Sequence, residues 1–287
     1  MAGEAFFQSL DSLKLITGLK KTNIAGLLMN RDFEWISDTD KLFFAFFEAC
    51  VAAGPTRCPL ASSRFGNGTS DYANVTAKTL ETSFYNFLET ELKTNPVLVD
   101  PGANSTSKYP ILLDYTTLKT ALLNMLYSPS LWPRVAAALD GLLSSPRNLT
   151  AVRDVMQLLQ IEPVTNENAH DAFIAIRASD KSPAVLSEIG SLDDFRPVME
   201  RVQATSKLAG DAVIWVLMQV ARWEIPAKER YEGEFRNITT SHPVLILGNT
   251  YDPVTPLVSA FNLSEALEGS VVVQHDGYGV SCTALLL

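Results

Sequence analysis

An aspartate in a proline-rich loop is the residue of this chain whose setting best suits chemistry. The apolar run from Val244 to Leu247 predicts a buried strand, and a following Gly-Asn pair ends it. Asp252 then stands between turn-forming residues, with Pro253 and Pro256 constraining the loop. α/β enzymes place catalytic or ligand-binding carboxylates in loops that follow core strands. The structural alternative is an aspartate that caps its own loop through side-chain-to-backbone hydrogen bonds.

The loop and the elements after it resemble a known family. Residues 243–256 read P-x-L-x-x-G-N-T-x-D-P-V-T-P, after which Leu257 to Leu267 predicts a helix and Ser270 to Gln274 a strand. This order resembles the C-terminal region of α/β-hydrolase serine peptidases of the tripeptidyl/prolyl aminopeptidase type. The resemblance implies an α/β fold, a peptide substrate cleaved from its free N-terminus, and Asp252 as the acid of a Ser-Asp-His triad.

The other two triad members are missing from the printed sequence. After the Asp-Gly-Tyr-Gly run that ends at Gly279, the family continues with His-Cys-Ser, whereas this chain has Val280 and then Ser281. No G-x-S-x-G nucleophile motif occurs in the 287 residues. We therefore expect a serine hydrolase by family that is inactive as written, because nucleophile and base act as one unit. The abrupt divergence after Gly279 favours a truncated or mis-spliced product.

The remaining histidines and nucleophiles are poor substitutes for the missing triad members. His275 ends the predicted strand five residues before the family's histidine position, which at about 3.3 Å per residue is a large displacement. His242 is placed at the opposite end of the first strand, and His170 lies in a polar stretch, so both are predicted to be surface residues. Ser281 and Cys282 have no base at a suitable spacing.

Composition limits the partners and cofactors. The net charge of −9, without a basic stripe, argues against nucleic acid as a partner. No apolar run approaches the roughly 18 residues of a membrane span. No His/Cys/Asp/Glu cluster has metal-ligand spacing and no glycine-rich phosphate loop occurs, so no cofactor is predicted.

Glycosylation sequons indicate a secreted lineage. Six Asn-x-Ser/Thr sequons occur in the chain, where chance gives roughly two. The first residues lack a basic, then apolar, then small-residue signal pattern, which leaves the localisation of this product open. The sequon asparagines are Asn67, Asn74, Asn104, Asn148, Asn237 and Asn262.

The three cysteines leave at least one thiol unpaired. A Gly-Pro turn between Cys50 and Cys58 could bring this pair together, and a free buried cysteine is the alternative. The family resemblance includes a disulfide at these two positions. Two other family cysteines are replaced together by Ala178 and Val220, a double change that would leave an apolar contact.

The elements before the Asp252 loop predict helices. An aromatic stripe from Leu42 to Cys50 has helical spacing, opens with a capping box at Ser37 and Asp40, and is interpreted as core packing. The run 172–176 is left open between an extended segment and a helix turn. Further helices are predicted at 79–92, at 114–126 with Asp114 as cap, and at 131–143, 148–159, 193–208 and 211–221.

The domain prediction follows from this order of elements. Residues 1–30 match no family element, residues 31–240 form a mostly helical cap-like region, and residues 241–287 form a truncated piece of the α/β-hydrolase core. A sheet without its first strands has an unpaired edge and an uncovered apolar face, which predicts association through that edge. The alternative to a hydrolase is a non-catalytic binding or fragment protein, or the product of a truncated gene model.

Overall fold

Two compact units make up the chain. The first unit spans residues 40–165, and the second combines residues up to 39 with residues from 166 onward. The computed structural model describes residues 33–62, 75–102, 109–158, 167–179, 190–225, 228–229 and 237–280. The predicted segment 1–30 lies outside the described residues. The predicted cap-like region contributes residues to both units, and its boundaries at 31 and 240 remain a prediction.

The first unit is mostly helical. Among its described residues, the short strands β1 (Val97–Val99) and β2 (Ile111–Leu113) pair antiparallel on either side of the predicted loop at 100–110. Sequence reasoning missed them because three residues are too few to show alternation. The helices are α1 (Thr39–Ala53), α2 (Ala77–Phe87, continued by a π-helical turn at Leu88–Leu92), α3 (Tyr115–Met125), α4 (Trp132–Leu143) and α5 (Thr150–Leu158).

Aromatic side chains from α1, α2 and α4 form the core of the first unit. The Phe43 ring meets Phe47 and Phe84 edge-on, with ring centroids 4.8 Å and 5.1 Å away. Phe46 meets Trp132 in the same way at 5.8 Å. Phe43, Phe47 and Phe84 are at most 1% exposed, so the prediction that the aromatic stripe is core packing is confirmed.

One of the two predicted helix N-caps is present in the structure, and the other is not. The Asp114 side chain accepts a hydrogen bond from the Thr117 amide at 2.7 Å, which confirms the predicted N-cap of α3. The predicted cap at Ser37 is wrong, because α1 begins at Thr39 and Ser37 ends a 3₁₀ turn at Glu34–Ile36. Ser37 has helical dihedrals (φ −64°, ψ −27°), whereas an N-cap residue is extended.

The second unit pairs helices with a small parallel sheet. The run 172–176, left open from sequence, lies in a helix. Gly210 allows its helix to approach the preceding one closely, since a Cβ there would lie 2.7 Å from Cα of Gln203. The elements are α6 (Glu167–Ser179), α7 (Leu192–Thr205), α8 (Ala209–Ala221), β3 (Leu245–Tyr251), α9 (Leu257–Ala266) and β4 (Val271–Tyr278).

The two faces of the β3–β4 sheet differ. The strands are parallel and joined through α9, with Leu245 opposite Val271 and Leu247 opposite Val273. On one face, Ile246 packs with apolar residues of α9. On the other, the four paired side chains are 44–63% exposed. This uncovered apolar face has the form expected of an incomplete α/β sheet, since parallel sheets are normally covered on both sides.

Candidate functional site

The Asp252 carboxylate is buried at the end of β3. The predicted end of this strand at the Gly-Asn pair is wrong, because β3 continues to Tyr251. Asp252 follows directly and is 3% exposed. Its Oδ1 accepts hydrogen bonds from the amides of Val254 (2.9 Å) and Thr255 (2.6 Å), and its Oδ2 accepts one from the Thr255 hydroxyl. These bonds fix the rotamer of the carboxylate and close the loop, so the loop-capping role considered from sequence is present in the structure.

A segment distant in sequence supports this loop. The Thr39 hydroxyl is buried and donates to the Pro253 carbonyl at 2.7 Å. Glu34 Oε1 accepts from the Ser259 hydroxyl at 2.8 Å and from Asn262 Nδ2 at 3.1 Å. The 33–39 segment therefore holds both the acid loop and α9. Sequence reasoning missed these contacts because more than 200 residues separate the partners, as the 214-residue spacing of Thr39 and Pro253 shows.

Asn249 links the ends of the two parallel strands. Its Nδ2 donates to the Gly279 carbonyl at 2.8 Å, and the Gly279 amide donates to the Tyr251 carbonyl at 2.9 Å. Asn249 is 3% exposed. Gly279 is thus held from both sides beside the residue that precedes Asp252, and position 280 follows directly.

The His275 ring is directed at Asn249. Its Nδ1 lies 3.0 Å from Asn249 Oδ1. Since Asn249 Nδ2 already donates to a carbonyl, Oδ1 is the acceptor and His275 Nδ1 carries the proton. A Cβ at Gly277 would collide with this ring, so glycine makes room for it. The structure thus pairs the His275 ring with the Asn249 carboxamide.

The remaining candidates from sequence are less informative. His242 is exposed at the entry to β3, as predicted. His170 lies in α6, but its side chain falls outside the described residues, as do Ser281 and Cys282. Within the part of the chain that the structure describes, no group of three His, Cys, Asp or Glu could hold a metal ion. The same residues include no helix with the length and apolar character needed to cross a membrane.

Comparison with known proteins agrees with this architecture. The profile of an α/β-hydrolase family described as TAP-like protein matches residues 206–284, which contain α8, β3, the Asp252 loop, α9 and β4. Residues 206–284 thus resemble the C-terminal region of a TAP-like α/β-hydrolase. The predicted family resemblance and fold class are thereby confirmed.

Longer proteins are also similar to this chain. The chain is 25% identical over 182 residues to proteins named serine protease Hip1 in Mycobacterium bovis and in Mycobacterium tuberculosis. The alignment covers 61% of this chain and 34% of each relative, so the matched part spans about a third of their length.

The cysteine pair implied by the resemblance is joined in the structure. Cys50 and Cys58 form a disulfide. Gly54, between them, has a left-handed backbone (φ 72°) that ends α1, and its carbonyl accepts from the Cys58 amide at 2.8 Å. The third cysteine, Cys282, lies outside the described residues.

The six sequons divide into two groups. Asn148, Asn237 and Asn262 are exposed. Asn67, Asn74 and Asn104 lie outside the described residues. Asn148 Oδ1 accepts from the Thr150 amide at 3.2 Å, near the start of α5. The exposed sequons stand where a glycan could be attached without opening a core.

Proposed function

We propose that this chain is the C-terminal part of a peptide-cleaving serine hydrolase in which Asp252 is the triad acid. The observation that carries the proposal is the position of its carboxylate, buried and fixed by three hydrogen bonds at the end of β3. The TAP-like match over residues 206–284 supports this reading. A triad acid orients an imidazole and stabilises its cationic form, which requires a carboxylate held in one rotamer.

In this proposal, the catalytic imidazole of the triad belongs to the residue at position 280. The bond from the Gly279 amide to the Tyr251 carbonyl joins the residues that directly precede position 280 and Asp252. A side chain at position 280 therefore starts beside the acid loop. Val280 has no proton to transfer, and the printed sequence has no G-x-S-x-G motif. We accordingly propose that these 287 residues, taken by themselves, supply the acid of the reaction and do not catalyse it.

A histidine substitution tests the role of Asp252. In a Val280→His variant, a carboxylate within about 4–6 Å raises the pKa of the introduced imidazole above the ordinary value of about 6.5. Adding Asp252→Asn should lower that pKa by about one unit, measured by NMR titration. Asp276→Asn is the matched control, since Asp276 is an exposed carboxylate on β4. Equal pKa values with and without Asp252→Asn would refute the assignment of the acid.

Covalent labelling tests the proposed inactivity. A fluorophosphonate probe labels a serine that is activated as a nucleophile, and a triad without its serine and histidine has none. The purified 287-residue chain should remain unlabelled while an active serine peptidase in the same tube is labelled. Labelling that disappears on heat denaturation would show an activated serine in this chain and reject the proposal.

The uncovered sheet face supports a second candidate role, in association. We propose that the β3–β4 sheet is completed by further polypeptide, because Leu245, Leu247, Val271 and Val273 together form an apolar surface. A chain that lacks this covering should be marginally stable. A sharp cooperative thermal transition of a purified monomer would count against this role. A sequenced transcript that encodes Val280 and the printed terminus would remove the truncation hypothesis.

The exposed sequons support a secreted lineage for this chain. We propose that Asn148, Asn237 and Asn262 can carry N-linked glycans when the chain is routed through a secretory pathway. Expression in a glycosylating host, followed by removal of N-glycans, should lower the apparent mass on a gel. An unchanged mass would contradict the proposal.

A further inference from the structure

We propose that Asn249 is a positioning residue, whose carboxamide holds the turn after β4 so that the residue at position 280 faces Asp252. The inference rests on the proposed role of Asp252. Asn249 acts through Gly279 rather than on any reacting group, which distinguishes its role from that of a catalytic residue.

The polar side chain of Asn249 is buried between two strands. Asn249 is 3% exposed and sits opposite His275 in the parallel register. A carboxamide removed from water without hydrogen-bond partners is destabilising. Here both ends are used, since Nδ2 donates to Gly279 and Oδ1 lies 3.0 Å from His275 Nδ1. The side chain is therefore fixed, and its amide is aimed at one backbone carbonyl.

Pairing of the two strands does not by itself determine the backbone conformation of the turn after β4. Asn249 pairs with His275, but Tyr251 pairs with Tyr278, so β4 has one more residue than β3 over this interval. Such a bulge bends the strand and disrupts the ladder locally. Directly beyond it, Gly279 has φ 93°, a backbone conformation that residues with a Cβ rarely adopt. The direction of the chain at position 280 therefore depends on what holds Gly279.

Hydrogen bonds hold Gly279 at both its amide and its carbonyl. Its amide donates to the Tyr251 carbonyl at 2.9 Å, and its carbonyl accepts from Asn249 Nδ2 at 2.8 Å. The first bond sets the distance of the turn from the end of β3. The second fixes the peptide plane between Gly279 and Val280, and with it the direction of the next Cα–Cβ bond. Removing the carboxamide leaves the first bond in place and frees this plane to rotate.

An NMR titration of the full-length chain tests the proposal. In the Val280→His background, Asn249→Leu should lower the pKa of the introduced imidazole towards its ordinary value, because the imidazole loses its fixed approach to the carboxylate. Thr250→Val is the matched control, since the Thr250 hydroxyl on the same strand donates to the His275 carbonyl at 3.2 Å rather than to Gly279. It should leave the pKa unchanged.

The Asp252→Asn variant, titrated in the same background, distinguishes failure of the positioning role from failure of the acid assignment. If Asp252→Asn lowers the pKa of the introduced imidazole and Asn249→Leu does not, the positioning role is overturned and the acid assignment stands. If Asp252→Asn has no effect, the acid assignment fails and the positioning role fails with it.

A second Asn249 variant guards against loss of folding. Asn249→Ala removes the donor to Gly279 without adding a charge, so it should also lower the pKa of the introduced imidazole relative to Thr250→Val. Loss of the dispersed NMR spectrum in both Asn249 variants would overturn the proposal, because it would make Asn249 a requirement of the fold rather than of the turn.

Discussion

Ala178 on α6 and Val220 on α8 lie in one buried apolar cluster with Ile174 and Val216. Ala178 is 1% exposed and Val220 is fully buried. The family that the chain resembles has cysteines at these two positions. Their joint replacement leaves both positions in one apolar cluster, which avoids the burial of a single unpaired thiol.

Their shared cluster, together with the cysteines of the family that the chain resembles, predicts that a disulfide can be built between positions 178 and 220. The Ala178→Cys/Val220→Cys double variant should form an intramolecular bridge under oxidising conditions. Closing a loop of about 40 residues stabilises the fold by up to about 4 kcal/mol in the chain-entropy description. Thiol titration and chemical denaturation of the oxidised and reduced forms measure the bridge and its effect. The two single variants are the controls, and free thiols persisting in the oxidised double variant would contradict the prediction.

The buried Asp252 carboxylate should contribute strongly to the free energy of unfolding. Asp252→Ala leaves the Val254 and Thr255 amides without their acceptor. Unsatisfied buried donors cost about 1–3 kcal/mol each, so the two together give an expected loss of about 2–6 kcal/mol in the free energy of unfolding. Urea denaturation checks the value, with Asp276→Ala on exposed β4 as control. Equal stabilities of the two variants would mean that the loop does not depend on its cap.

The uncovered face of the β3–β4 sheet should make the chain self-associate. Leu247→Lys/Val273→Lys places two charges on this face and should raise the monomer fraction in sedimentation experiments. A matched control exists in the β1–β2 sheet, where Leu98 and Leu112 are also paired across the strands and exposed. Leu98→Lys/Leu112→Lys should change the monomer fraction less. An equal effect of the two double variants would show that association depends on exposed apolar area in general and not on the β3–β4 face.

The start of α7 should respond to pH. The hydroxyl of Ser191 donates to Asp194 at 2.8 Å and, with the Ser191 and Gly190 amides, holds the pKa of that carboxyl below its ordinary value. The stability from this cap is present at neutral pH and is lost as the pH falls through the lowered pKa, because the folded state must then take up a proton. Ser191→Ala should raise the pKa of Asp194 in an NMR titration. An unchanged pKa would show that the backbone amides suffice.

Local patterns in the sequence predicted the elements nearest the proposed site. The strand-loop-helix-strand order around Asp252 and the helical aromatic stripe of α1 both depend on spacings of two to four residues, which a sequence displays directly. The loop-capping role of Asp252 was readable for the same reason, since its hydrogen-bond partners lie two and three residues away.

Tertiary structure alone decided how that loop is held. Thr39 and Pro253 are 214 residues apart, and Asn249 and Gly279 are 30 apart. The bulge that extends β4 to Tyr278 is a property of how two strands pair rather than of either strand. Sequence periodicity reports which side of an element is buried. Which distant hydroxyl or carboxamide meets a given carbonyl is selected by packing, because that choice depends on the arrangement of elements that no local pattern encodes.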